Sequence, residues 1–228
     1  MIKKFIFVLL MLVSMSVSAL GFDAVVGVTT NNVFRGQTIS ERGLSANAQF
    51  GVKSDNGLFG SYRLETAPMN ASVNKVNTMN TLSAGYGQDL LGAKVSGGYT
   101  YRAFTGGSSN ALAKVSDLNF GEVFVRGSIC GFNAEIDQTV NESVGGMKDA
   151  YYTVGYSYKL GPYSLGANYE GKHYRNSIAN SNYNGYNVVG TYDVTKNVLV
   201  SATYTHAGRD RTNVQLPSQT AVDLKYSF

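Results

Sequence analysis

From Phe22 to the last residue, apolar and polar positions alternate in short runs separated by turn-forming residues. A period of two places successive side chains on opposite faces of an extended chain, so each run predicts a β-strand. Phe22, Ala24, Val26 and Val28 form the first apolar row, and Leu44, Ala46, Ala48, Phe50 and Val52 form the second, with a polar loop over 31–42 between them. The stretch Ser54-Asp-Asn-Gly57 predicts a tight hairpin, because Asn-Gly readily adopts the positive φ such a turn needs. The third strand returns through Leu58, Gly60, Tyr62 and Leu64, and a longer loop is expected from Ala67 to about Val76.

The pattern continues to the C-terminus. Strands are predicted around Leu82–Tyr86, Ala93–Tyr101, Gly121–Arg126, Phe132–Ile136, Tyr152–Tyr158, Tyr163–Tyr169, Tyr186–Tyr192, Val198–Tyr204 and the final residues up to Phe228. That makes twelve in all. The sixth has the least regular phase, because Phe120 and Phe124 fall on its charged side. Short turns are expected at Gln88–Gly92, Ser128–Gly131, Leu160-Gly-Pro162 and Thr195–Asn197. Longer polar loops are expected at 104–116, 141–149, 175–182 and 208–219. Long and short connections therefore alternate, as in an antiparallel up-and-down β-barrel that crosses a membrane with short turns on one side and longer loops on the other.

In the last strand Val222, Leu224, Tyr226 and Phe228 alternate with Ala221, Asp223, Lys225 and Ser227. The row suits a lipid-facing surface, with the terminal aromatic in the interfacial girdle. It resembles the closing strand of outer-membrane barrels. The resemblance implies that Tyr226 and Phe228 form the signal read by the barrel-assembly machinery. The alternative is the edge strand of a secreted β-sandwich, and alternation alone does not separate the two.

Composition sharpens the choice. The 228 residues include 26 Gly, 16 Tyr and 11 Phe but no Trp, and only 15% are charged, where a soluble domain carries about 25%. Lys3 and Lys4 precede the apolar run Phe5–Val13, and Val17-Ser-Ala19 supplies small residues for cleavage. Residues 1–19 thus read as a cleaved secretory signal peptide, and residues 20–228 as a single barrel domain. The apolar run falls short of the roughly 20 residues of a spanning helix.

The positions between the apolar rows are expected to face the lumen. They carry Arg63, Lys94, Arg102, Arg126, Lys159, Lys172 and Lys225 against Glu65, Glu122, Glu135, Asp137, Glu170, Asp193 and Asp223. A charge on the lipid face at mid-membrane costs about 2–4 kcal/mol, so their absence from the apolar rows supports this partition. A charge-balanced lumen predicts little preference between anions and cations.

The stretch Val26-Gly-Val-Thr-Thr-Asn-Asn-Val-Phe-Arg-Gly-Gln-Thr-Ile-Ser40, followed by Gly43–Phe50, resembles the TorF family of porins, in which a first strand leads into a Tyr/Val-Phe-Arg-Gly segment. Val33, Phe34, Arg35 and Gly36 carry the match. Asn31-Asn32 stands where many members have an acidic residue and Tyr. The resemblance implies the outer membrane of a Gram-negative bacterium and a channel for passive diffusion of small hydrophilic solutes. Arg35 continues the inward parity of the first strand. It joins the pore-lining candidates, either as an ion-pairing residue that stabilises the fold or as a solute contact in a constriction. The competing expectation is a plugged structural or adhesive barrel working through its outer loops.

Other chemistries find little support. His173 and His206 are far apart and lack metal-ligand spacing, neither sits in a nucleophile pattern, and the lone Cys130 cannot form an internal disulfide. Without the two leader lysines the net charge falls from +4 to about +2, too little for nucleic-acid binding. No catalytic residue and no cofactor is expected. The expected partners are outer-membrane lipid, the assembly machinery and small solutes.

Overall fold

The structure is a computed structural model that describes residues 20–31, 33–34, 37–38, 44–70, 75–106, 119–142, 149–174, 183–206, 208 and 218–228. The strands are β1 (Leu20–Thr29), β2 (Val33–Phe34), β3 (Gln37–Thr38), β4 (Ser45–Ser54), β5 (Leu58–Asn70), β6 (Lys75–Leu90), β7 (Ala93–Gly106), β8 (Phe120–Ile129), β9 (Phe132–Glu142), β10 (Asp149–Leu160), β11 (Tyr163–Tyr174), β12 (Tyr183–Asp193), β13 (Val198–His206) and β14 (Gln219–Ser227). Twelve of them, all but β2 and β3, form one closed barrel in which each strand pairs antiparallel with its sequence neighbour and β14 returns to β1. Following the register once around the wall returns to β1 displaced by about 16 residues, a shear that tilts the strands about 45° and sets a backbone radius of about 12 Å.

Exposure settles the choice between barrel and sandwich. Among the described residues, those excluded from solvent are mostly polar, including Glu65, Glu122, Asp137, Glu170, Thr100 and Thr205. Only Met79, Phe124, Tyr151 and Ala221 represent the apolar and aromatic types. The predicted apolar rows point outward, with Phe22, Phe50, Leu82, Val125, Ile136 and Leu165 all well exposed. A soluble fold has the reverse arrangement, whereas a bilayer supplies the apolar solvent this surface requires. Two aromatic bands bracket it. Phe132–Tyr156, Tyr163–Tyr192 and Tyr226–Phe228 pair at the end carrying the short turns, and Tyr152–Tyr169 and Tyr186–Tyr204 pair toward the loops.

The turns are tighter than the sequence predicts in two places. Ser54–Gly57 closes as expected, with the Gly57 amide donating to the Ser54 carbonyl at 3.0 Å and Gly57 at φ 92°. The strands flanking Gln88–Gly92 and Ser128–Gly131, however, run on to Leu90 and Ile129. That leaves two-residue turns, Leu91-Gly92 and Cys130-Gly131, whose first residues sit at φ 52° and 49°. Type I′ geometry matches the strand twist and here overrides the usual Asn or Asp preference. The loop expected over 67–76 is also shorter, because β5 extends to Asn70 and β6 begins at Lys75. A register shift between Thr66 and Met69 falls where Pro68 can donate no N–H. Within the loop read over 31–42, β2 and β3 form a small ribbon, Phe34 pairing with Gln37.

Candidate functional site

Strand parity and register place the inward side chains in rows across neighbouring strands. Nearest the turns, Asp89, Lys94, Ser128 and Asn133 lie side by side on β6 to β9. Two residues higher come Ser96, Arg126, Glu135, Thr153 and Glu170. The next row is Gly98, Phe124, Asp137, Tyr151 and Lys172. Arg63, Glu65, Arg102, Glu122 and Asp193 share this inward parity on β5, β7, β8 and β12. Arg35 lies outside the described residues.

The charges are joined along the wall. Arg63 Nη2 donates to Glu65 Oε1 at 2.6 Å, and Arg126 Nη2 to Glu135 Oε1 directly across the β8–β9 pair at 2.8 Å. Arg102 pairs with Glu122, whose other oxygen accepts from Thr139 Oγ1. A bulge between Gly121 and Glu122 brings Thr139 opposite that carboxylate. Lys159 reaches past β11 to Asp193 at 2.8 Å on the turn-side rim. Tyr151 donates to Glu170 Oε2 at 2.6 Å, and Ser201 to Asp223 Oδ2 at 3.0 Å. For Glu65, Glu122 and Glu170, which are almost fully buried, these links offset the desolvation of the carboxylate.

Alternation alone did not single out a second feature, an inward aromatic pair. The Phe59 and Phe124 rings lie 6.2 Å apart, and Phe124 is 2% exposed with the Arg126 guanidinium 4.2 Å over its face. Both rings lie against Gly85 and Gly98, which pair directly. A Cβ at Gly85 would come within 2.7 Å of the Phe59 ring, and one at Gly98 within 2.8 Å of the Phe124 ring. The irregular phase of β8 thus has a packing origin, since its Phe at the charged parity lies over a glycine floor. Beside this pair, toward the turns, opens a cavity of about 970 Å³ lined by Phe59, Lys94, Ser96, Arg126, Asn133 and Glu135, among others.

Beyond β11 the wall changes character. Asn168 Nδ2 donates to Asn187 Oδ1 at 2.8 Å, and Thr191, Thr203 and Thr205 continue a largely neutral hydroxyl and amide surface. Asp223 and Lys225 are the inward charges of β14.

His206 stands apart from the lumen. His206 lies on the outward parity of β13, its ring stacked on Tyr186 at 4.9 Å and its Nδ1 3.0 Å from Ser218 Oγ. Among the described residues, no carboxylate or amide side chain is bonded to its other ring nitrogen. A hydrolytic triad requires such an orienting group. The side chain of His173 lies outside the described residues. Cys130 is exposed at its turn. Among the described residues, no cluster of three or more His, Cys, Asp or Glu is placed to hold a metal ion.

No curated protein matches the chain in sequence. Its architecture is similar to that of the KdgM porin in complex with disordered oligogalacturonate, at 14% identity over 92% of this chain and 99% of that one with a TM-score of 0.54. It is also similar to the NanC porin, at 12% identity over 91% and 99% with a TM-score of 0.54. Outer membrane phospholipase A from Escherichia coli shares the fold at 17% identity over 90% and 88% with a TM-score of 0.50. At these identities the likeness is one of fold. The family model for Gram-negative porins, however, matches residues 6–213, nearly the whole chain. With its closed twelve-stranded wall and polar interior, the chain belongs to the Gram-negative porin family, the channels that admit small solutes across the outer membrane.

Proposed function

We propose that this porin is a weakly selective diffusion channel for small hydrophilic solutes, lined by the rows of β5 to β11. The observation that carries the reading is the Arg126–Glu135 pair beside an open cavity of about 970 Å³. Opposite charges 2.8 Å apart cancel over the distances at which a passing ion is selected, while hydrated solute retains room. Planar-bilayer recording of the refolded barrel, with the salt gradient reversed, tests it. Discrete steps with a reversal potential near zero support the reading, and strong selectivity overturns it.

A specific observation favours the second reading, a plugged structural or adhesive barrel. Phe124 and Glu122 are almost wholly buried and fill part of the interior. An inserted barrel that never conducts would establish it.

Finer features belong to the same proposal. The sequence Val33-Phe-Arg-Gly36 supports placement in the TorF branch. Residues 1–19, which lie outside the described residues, are removed as a secretory signal, which mass spectrometry of the mature protein reads directly. Tyr226 and the exposed Phe228 engage the assembly machinery. In this reading the chain is a channel with no hydrolytic role, which phospholipid turnover by the parent protein would overturn.

A further inference from the structure

We propose that the turn-side cavity of the lumen is a binding subsite for the ring of a neutral sugar, an inference that rests on the porin reading and names its solute class. Three observations converge there.

The first is a fixed aromatic platform. Phe59 lines the cavity, its ring tip rests over Gly85, and its neighbour Phe124 is clamped under the Arg126 guanidinium. A sugar ring presents a face of C–H groups that an aromatic surface desolvates favourably.

The second is the polar surround. Asn133, Ser96 and Ser128 offer neutral donors and acceptors, and the cationic Lys94 and Arg126 are each opposite an acid, Asp89 and Glu135. Asp55, Asp89 and Glu135 line the cavity against Lys53, Lys94 and Arg126, equal numbers of each sign, so neither an anion nor a cation gains a net attraction there. A hydroxyl both donates and accepts, so a polyol can satisfy such a mixed surface without carrying net charge into it.

The third is size. About 970 Å³ lies at the upper end of the range of roughly 300–1,000 Å³ usual for small-ligand pockets, enough for one or two sugar rings. The neutral Asn168–Asn187 and threonine surface on the facing strands extends the same chemistry along the lumen.

The test is saturation-transfer NMR of the refolded barrel in detergent, titrated with sucrose and, separately, with the zwitterion betaine and the anion gluconate. Saturable sucrose binding is expected. Phe59→Leu and Asn133→Leu should each weaken it about fivefold to tenfold, the scale of one aromatic or hydrogen-bond contact. The second variant keeps the test decisive if the first does not fold. Absence of saturable sucrose binding, equal affinity in both variants, or tighter binding of betaine or gluconate overturns the proposal. Bilayer recording on the same preparation separates the two claims. A conducting barrel that ignores sucrose retains the porin reading and loses this one, whereas a silent barrel overturns the porin reading and with it the assignment of a sugar as the solute.

Discussion

Arg102 on β7 and Glu122 on β8 form an ion pair inside the barrel, and Glu122, at 1% exposure, is among the most completely buried side chains described. A carboxylate so placed depends on its partner. Arg102→Leu should therefore destabilise the barrel by about 3–5 kcal/mol, because it strands a buried charge. Adding Glu122→Leu should recover part of the loss. Urea unfolding in lipid vesicles, followed by tyrosine fluorescence or by gel mobility, reads both. Equal stability of the single variant and the wild type would show that the pair is not structural.

The glycine floor makes a second prediction with its own control. Gly98→Ala would bring a Cβ within 2.8 Å of the Phe124 ring and crowd the Ala84 carbonyl oxygen, whereas Gly127→Ala meets nothing within 4 Å. Overpacking of this kind costs about 1–3 kcal/mol. The Gly98 variant should unfold at lower urea concentration, and the Gly127 variant should match the parent. Coincident transitions would disprove the aromatic-over-glycine packing.

Selectivity should respond to single charges at the cavity. Glu135→Gln leaves Arg126 unpaired beside the lumen, and Arg126→Gln leaves Glu135. The first should favour anions and the second cations, each by about twofold in permeability ratio, the scale of a partly exposed charge. Reversal potentials under a salt gradient provide the measurement. Shifts of the same sign in both variants would place the pair away from the ion path.

The outward dyad gives a negative prediction. His206→Ala and Ser218→Ala should leave conductance unchanged, and the parent should hydrolyse phospholipid no faster than empty detergent micelles, with or without added calcium. Turnover lost in both variants would convert the 3.0 Å contact into an active site.

Much of this architecture was legible in the chain. The lipid-facing rows, the twelve crossings and the inward parity of charges such as Glu65 and Glu170 all follow from period-two alternation, because the pleat fixes the face of every residue in a strand. The turns at Leu91 and Cys130 were hidden, since neither residue advertises a positive φ. The β5–β6 hairpin was set by a bulge that no periodicity shows. Phe59 and Phe124 were obscured for another reason. A two-letter alphabet counts an inward phenyl ring as an error, and only the register that brings Gly85 beside Gly98 explains it. The proximity of His206 to Ser218 likewise comes from the pairing of β13 with β14, and no spacing within one strand encodes it.

The line where the wall closes has a mechanical meaning. β1 pairs with β4 over ten residues but with β14 over only five, supplemented by the Phe228 amide on the Ala24 carbonyl and the Thr30 amide on the Val222 carbonyl. Among the described residues, Leu20 to Asp23 are thus laced on one side only. A closed cylinder shares load around its circumference, and this one has a short slit at its turn-side rim. Under tension from either terminus, tearing starts at the slit and runs along β1 and β14, and the neighbouring hairpins peel away one after another from there.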